Sequence, residues 1–78
     1  MGYTRYKIKE EIEIEQGTLY VYEAFSDNHG RSSLVGTFVS LGDPNRSDRK
    51  VLASRRNKRM TDKVGFDLVR EARKKLEE

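Results

Sequence analysis

The chain of 78 residues contains no cysteine, a single histidine (His29) and a single proline (Pro44). Without thiols there is no disulfide framework and no cysteine-bound zinc, and one imidazole does not build a metal centre. A domain this small buries only a thin core, which is usually reinforced by disulfides, a metal, a second subunit or very regular packing. Composition removes the first two. No apolar run is long enough to cross a bilayer or to serve as the apolar segment of a secretory signal. The expectation is therefore one soluble cytoplasmic domain over residues 1–78, with no membrane partner, no metal and no cofactor.

Charge is abundant and unevenly spread. Residues 1–45 carry four Lys/Arg against seven Asp/Glu, a net of −3, whereas residues 46–78 carry twelve against six, a net of +6. Most of that excess lies between 46 and 63, where Arg46, Arg49, Lys50, Arg55, Arg56, Lys58, Arg59 and Lys63 face only Asp48 and Asp62. Its densest part is the run Ser54–Met60, "SRRNKRM", with four cations in five consecutive positions. Mutual repulsion among so many cations weakens a compact state unless a partner supplies the counter-charge.

Apolar periodicity places the secondary structure around this segment. Tyr6, Ile8, Ile12 and Ile14 alternate with Arg5, Lys7, Lys9, Glu11, Glu13 and Glu15, the pattern of a half-buried strand. Gln16-Gly17 fits a two-residue hairpin turn, in which Glu15 pairs with Thr18 and Ile14, Ile12 and Ile8 face Leu19, Val21 and Phe25. Asp27-Asn28-His29-Gly30 fits a three-residue loop leading into a third strand from about Ser32 to Leu41, with Val35, Val39 and Leu41 on the core face and Leu34 and Phe38 on the other. Gly42-Asp43-Pro44-Asn45 ends the sheet, because proline cannot donate to a ladder. Residues 46–60 have weak periodicity and fit either a short helix capped by Ser47 or a mobile loop. Thr61 caps a last helix over 61–77, whose stripe Gly65, Leu68, Val69, Ala72 and Leu76 faces the sheet. The predicted class is α+β: a three-stranded antiparallel sheet over 3–41, a basic segment over 46–60 and a C-terminal amphipathic helix on one sheet face.

Three groupings bear on function. His29 lies near Asp27 in a turn but has no nucleophile beside it, so no catalytic residue is assigned and the chain is not expected to be an enzyme. The hairpin register sets Glu10 across from Glu23 on the apolar face. There the two carboxylates would repel unless a Lys or Arg lies between them, and two carboxylates alone make no metal site. Tyr20, Tyr22 and Phe38 share the face away from the helix. With Glu13 and Glu11 opposite the tyrosines, that face suits a protein or homodimer interface better than nucleic-acid bases.

The basic segment carries the leading expectation. Arg and Lys interleaved with Ser and Asn are the side chains that contact phosphates, through guanidinium forks and neutral hydrogen-bond donors. Arg46, Arg49, Lys50, Arg55, Arg56, Lys58, Arg59 and Lys63, with Arg31, are the expected nucleic-acid contacts, extended by Arg5, Lys7 and Lys9. The partner would be DNA or RNA, held mainly by its backbone. An acidic protein would satisfy the same charge, and an interaction module working through Tyr20, Tyr22 and Phe38 is the alternative function.

Overall fold

The alternation of Tyr6, Ile8, Ile12 and Ile14 with charged residues forms a strand, β1 (Tyr3–Ile14), and it continues through β2 (Gly17–Asn28) and β3 (Arg31–Leu41). The molecule, a computed structural model, is described over residues 3–77; Met1, Gly2 and Glu78 lie outside. A fourth strand, β4 (Lys50–Arg56), precedes one helix, α1 (Asp62–Leu76), and the strands lie side by side in chain order as one antiparallel sheet. Among the described residues no helix is long and apolar enough to cross a membrane.

The fourth strand corrects the expected three, and it replaces the short helix or loop expected over 46–60. Val51, Leu52 and Ala53 show no alternation because β4 is bulged: Val39 pairs with Ala53 but Ser40 pairs with Val51, leaving Leu52 as the extra residue. A bulge brings two consecutive side chains toward one face. Leu52 and Ala53 accordingly both enter the core with Leu19, Val21, Val39, Leu68 and Ala72.

Both hairpins also differ from expectation. Ile14 pairs with Gly17, so the first turn is Glu15-Gln16 and the pairing is displaced by two residues. Gly17 serves at the first paired position with a φ of 141°, a backbone open to glycine because it has no Cβ. The second turn has two residues rather than three, since Asn28 pairs with Arg31; His29 and Gly30 both take positive φ, 50° and 77°, the backbone that matches strand twist.

A displacement of two keeps every side chain on its expected face, so Ile12 and Ile14 still meet the core beside Leu19. Bulges then reverse the faces. Lys9 is extra between Ile8, opposite Tyr22, and Glu10, opposite Val21; Val35 is extra between Gly36, opposite Ala24, and Leu34, opposite Phe25. Beyond them Ile8 leaves the helix side and Leu34 joins it, contrary to the uninterrupted alternation expected.

Thr61 caps α1, its side chain accepting the Val64 N–H, and Arg73, Lys74 and Lys75 occupy the last turn, where cations complement the helix dipole. Gly65, Leu68 and Ala72 are its buried residues, and the helix lies over β4, β3 and part of β2, leaving β1 largely uncovered.

Candidate nucleic-acid interface

The run Ser54–Met60 spans the end of β4 and the connection to α1, and the backbone of that connection is fastened at three points. Asn57 takes the left-handed conformation, φ 58°, and donates its N–H to the Val35 carbonyl at 2.9 Å. The Lys58 carbonyl accepts from the Thr37 hydroxyl at 2.8 Å, and the Met60 N–H donates to the Glu23 carboxylate at 3.1 Å. Val35, Thr37 and Glu23 belong to β3 and β2. The backbone of the turn is therefore strapped across the sheet between the end of β4 and the start of α1.

Glu23 anchors this arrangement. It is 6% exposed. The register does not place it opposite Glu10, as expected from an unbroken hairpin: Glu23 faces Lys7, and Glu10 faces Val21. The bulged Lys9 reaches Glu23 with its Nζ at 3.4 Å. A cation does attend this carboxylate: Lys9 of β1 pairs with it directly, and Arg59 of the basic segment adds its charge. Burial alone would raise the Glu23 carboxyl. The Met60 N–H, Lys9 and the charge of Arg59 outweigh that and hold it below its ordinary value.

Around one carboxylate the fold thus gathers Lys7 and Lys9 from β1 and Arg59 from the connection. Sequence reasoning took Lys7 and Lys9 only as an extension beside the second turn. What unites them with Arg59 is the pairing of β1 with β2, invisible until the Lys9 bulge is known.

The expected contacts divide into groups. Arg56, Lys58, Arg59 and Lys63 are exposed and form no ion pair among the described residues. Arg55 instead joins Glu71 of α1, with its side chain on the helix side of β4. Arg46, Arg49 and Lys50 lie at the other end of β4, about 20 Å away at a strand's rise per residue. Arg46 pairs with Asp48 at 3.3 Å. Arg49 lies over the Tyr6 ring at 5.2 Å and donates to the Tyr6 hydroxyl at 3.0 Å and to the Arg46 carbonyl at 3.1 Å, which fastens the loop after β3 to the sheet. Arg31 follows the His29-Gly30 turn, five residues from the Gly36 that pairs with Arg56. Nearby, Arg5 stacks on Phe25 and pairs with Asp27 at 3.0 Å. The Ser32 hydroxyl and Arg5 together hold the Asp27 carboxyl below its ordinary value.

The aromatic face also resolves into parts. Tyr22 is 1% exposed, set edge-on against Tyr6 and stacked on Phe38, and its hydroxyl accepts from Ser40 at 2.8 Å. It is the interior of a second, smaller apolar layer beneath the sheet. Tyr20 and Phe38 are half-buried on the same side, so any surface this face offers comes from them. Glu11, not Glu13, stands opposite Tyr20.

Compared with protein-family models, with curated proteins and with solved structures, the chain gives no match, so its chemistry is read from its own residues.

Proposed function

We propose that the chain is a small nucleic-acid-binding domain that grips the phosphate backbone with the connection between β4 and α1. Arg56, Lys58, Arg59 and Lys63 supply the contacts, and Lys7 and Lys9 extend the positive field along β1. The observation that carries this reading is the strap itself. Three hydrogen bonds to β2 and β3 hold the backbone of the turn in one conformation while its cations remain exposed and, among the described residues, form no ion pair. A charged surface fixed in advance loses less conformational entropy when it meets a polyanion than a flexible tail does. Arg46, Arg49 and Lys50, at the far end of β4, are assigned to the fold or to the general field.

The contacts are to phosphates, so binding is governed by salt more than by base sequence. Replacing Arg56, Lys58 and Arg59 together by Ala removes three contacts. On duplex DNA this should flatten the dependence of log affinity on log salt by about 3 units, at roughly 0.9 per contact. The Arg46→Ala/Lys50→Ala pair is the internal control and should leave most of the slope intact. Titrations of duplex and single-stranded oligonucleotides at several salt concentrations decide the matter. A wild-type protein that binds neither at low salt refutes the reading and turns attention to an acidic protein partner.

A further inference from the structure

The end of the sheet that carries the cations is also its narrow end. Ala24 of β2 pairs with Gly36 of β3, and Gly36 pairs with Arg56, the last residue of β4. Beyond that level β2 runs on to Asn28, about 13 Å at a strand's rise per residue. Among the described residues β1 accompanies it as far as Asp27, so the last turn, Asn28-His29-Gly30-Arg31, stands out as a two-stranded ribbon. Positive φ at His29 and Gly30 fixes the backbone of this tip.

The tip offers hydrogen-bonding groups and little negative charge. Ser26, Asn28, His29, Arg31 and Ser33 line a hollow of about 620 Å³. Ser26 pairs with Ser33 and Asn28 with Arg31, which by alternation along β2 puts these four on the sheet face that also holds Arg56. Among the described residues none of the five side chains lining the hollow makes a hydrogen bond or an ion pair. The one carboxylate of the hairpin end, Asp27, belongs to the opposite face and is already joined to Arg5 and Ser32.

We infer that this hairpin end enters the major groove of double-stranded DNA and reads base edges there with Asn28 and Arg31. The inference rests on the phosphate grip proposed above and names its substrate. Dimensions select the groove. The major groove of B-form DNA is ~12 Å wide and ~8.5 Å deep and admits a two-stranded ribbon, so a projection of about 13 Å reaches its floor. At the level where β4 ends, the outer strands carry Lys7 on β1 and Arg56 on β4, three strand spacings or about 14 Å apart. With the tip on the floor, these two cations stand over the opposite phosphate walls. Chemistry selects the bases. An amide matches N6 and N7 of adenine and a guanidinium matches O6 and N7 of guanine, each through two bonds, while serine serves any base. Duplex RNA is excluded by shape, because its major groove is too deep and narrow for side chains to read.

The test uses the full chain, stripped of nucleic acid by a high-salt wash, on duplex DNA with a randomised central segment. Selection should return a preferred sequence, and each changed base pair under the tip should weaken binding by ~10-fold. Asn28→Ala combined with Arg31→Lys removes the amide and the guanidinium fork but keeps every charge. It should level preferred and unrelated duplexes while leaving the salt slope and the unfolding midpoint at wild-type values. Methylating guanine N7, in the major groove, should block the preferred site, and methylating adenine N3, in the minor groove, should not. An RNA duplex of the selected sequence should bind no better than unrelated DNA. The outcomes separate the two readings. A wild type that binds no duplex at low salt refutes the grip and this inference with it. A wild type that binds with the expected salt slope but without sequence preference, a variant that keeps the preference, or interference from adenine N3 alone overturns the inference and leaves the grip standing.

Discussion

Replacing Glu23 by Gln keeps the side-chain shape and removes one charge, and the structure sets what that charge is worth. The Met60 N–H at 3.1 Å is a hydrogen bond to a carboxylate. Such bonds contribute about 1.5–3 kcal/mol, against roughly 0.5–1.5 for a neutral acceptor. The Lys9 ammonium at 3.4 Å is one-third exposed, so its share is discounted to under about 1 kcal/mol. Together these give a loss of about 2 kcal/mol, a fall of roughly 8–16 °C in the thermal midpoint for a chain of this size. Unbroken alternation, which sets Glu10 against Glu23, argues the reverse: that neutralising either carboxylate is harmless. The pH dependence adds a sign. The folded carboxyl lies below its unfolded value, so its stabilisation is fully present above the unfolded value and is lost as pH falls through the folded one. Wild type should therefore lose stability on acidification, while Glu23→Gln should lose less over the same range. Denaturant unfolding at pH 7 and at several acidic pH values reads both effects. A Glu23→Gln midpoint equal to or above that of wild type at pH 7 would show that burial of the carboxylate costs more than its bonds return.

Two further substitutions probe other parts of the fold. Tyr22→Phe leaves the fully buried Ser40 hydroxyl without its acceptor and should cost about 1–2 kcal/mol in urea denaturation. Tyr22→Ala, which empties the space between Tyr6 and Phe38, should cost about 3–5 kcal/mol; a negligible effect would mean that the second apolar layer is not a core. At Gly36 an added Cβ would run into the Arg55 carbonyl oxygen and lie 3.0 Å from the Arg56 Cα, both of them backbone. Gly36→Ala should thus cost ~2 kcal/mol or more and loosen β4, with raised exchange of the β4 amides in hydrogen-exchange experiments. Unchanged protection there would place the strain elsewhere.

Where sequence and structure agree, the cause is periodicity sustained over many residues. Ile12 and Ile14 against Leu19 and Val21 select the sheet face even though the turn is misplaced by two, because a shift of two preserves parity. The stripe Gly65, Leu68 and Ala72 marks the buried side of α1 because a helical stripe tolerates errors of a residue at either end. Apart from the two turn placements, the failures trace to single inserted residues. Lys9, Val35 and Leu52 are bulges, and a bulge has no composition of its own: one ordinary residue is added and every side chain beyond it changes face. Leu52 hid β4 by breaking its alternation, and the two-residue displacement of the first turn together with the Lys9 bulge set Lys7 instead of Glu10 opposite Glu23. The density of cations in 55–59 was legible as a feature. Its fastening was not, since Val35, Thr37 and Glu23 lie far from it in the chain and give no local sign of reaching it.

The strand order has a kinetic consequence. Every strand pairs with its neighbour in the chain, so the sheet assembles by closing short loops and needs no distant strand to arrive first. The contacts of long sequence separation are those of α1 and the connection before it, together with Arg49 on Tyr6. Glu23 meets the Met60 N–H across 37 residues, and that closure has to wait until β2, β3 and β4 are laid side by side. It is also the contact that straps the cations of the connection into position. A chain that has zipped its hairpins but not made this closure has a sheet without the strapped connection, so the proposed grip on polyanions is expected to depend on a contact that forms late in folding.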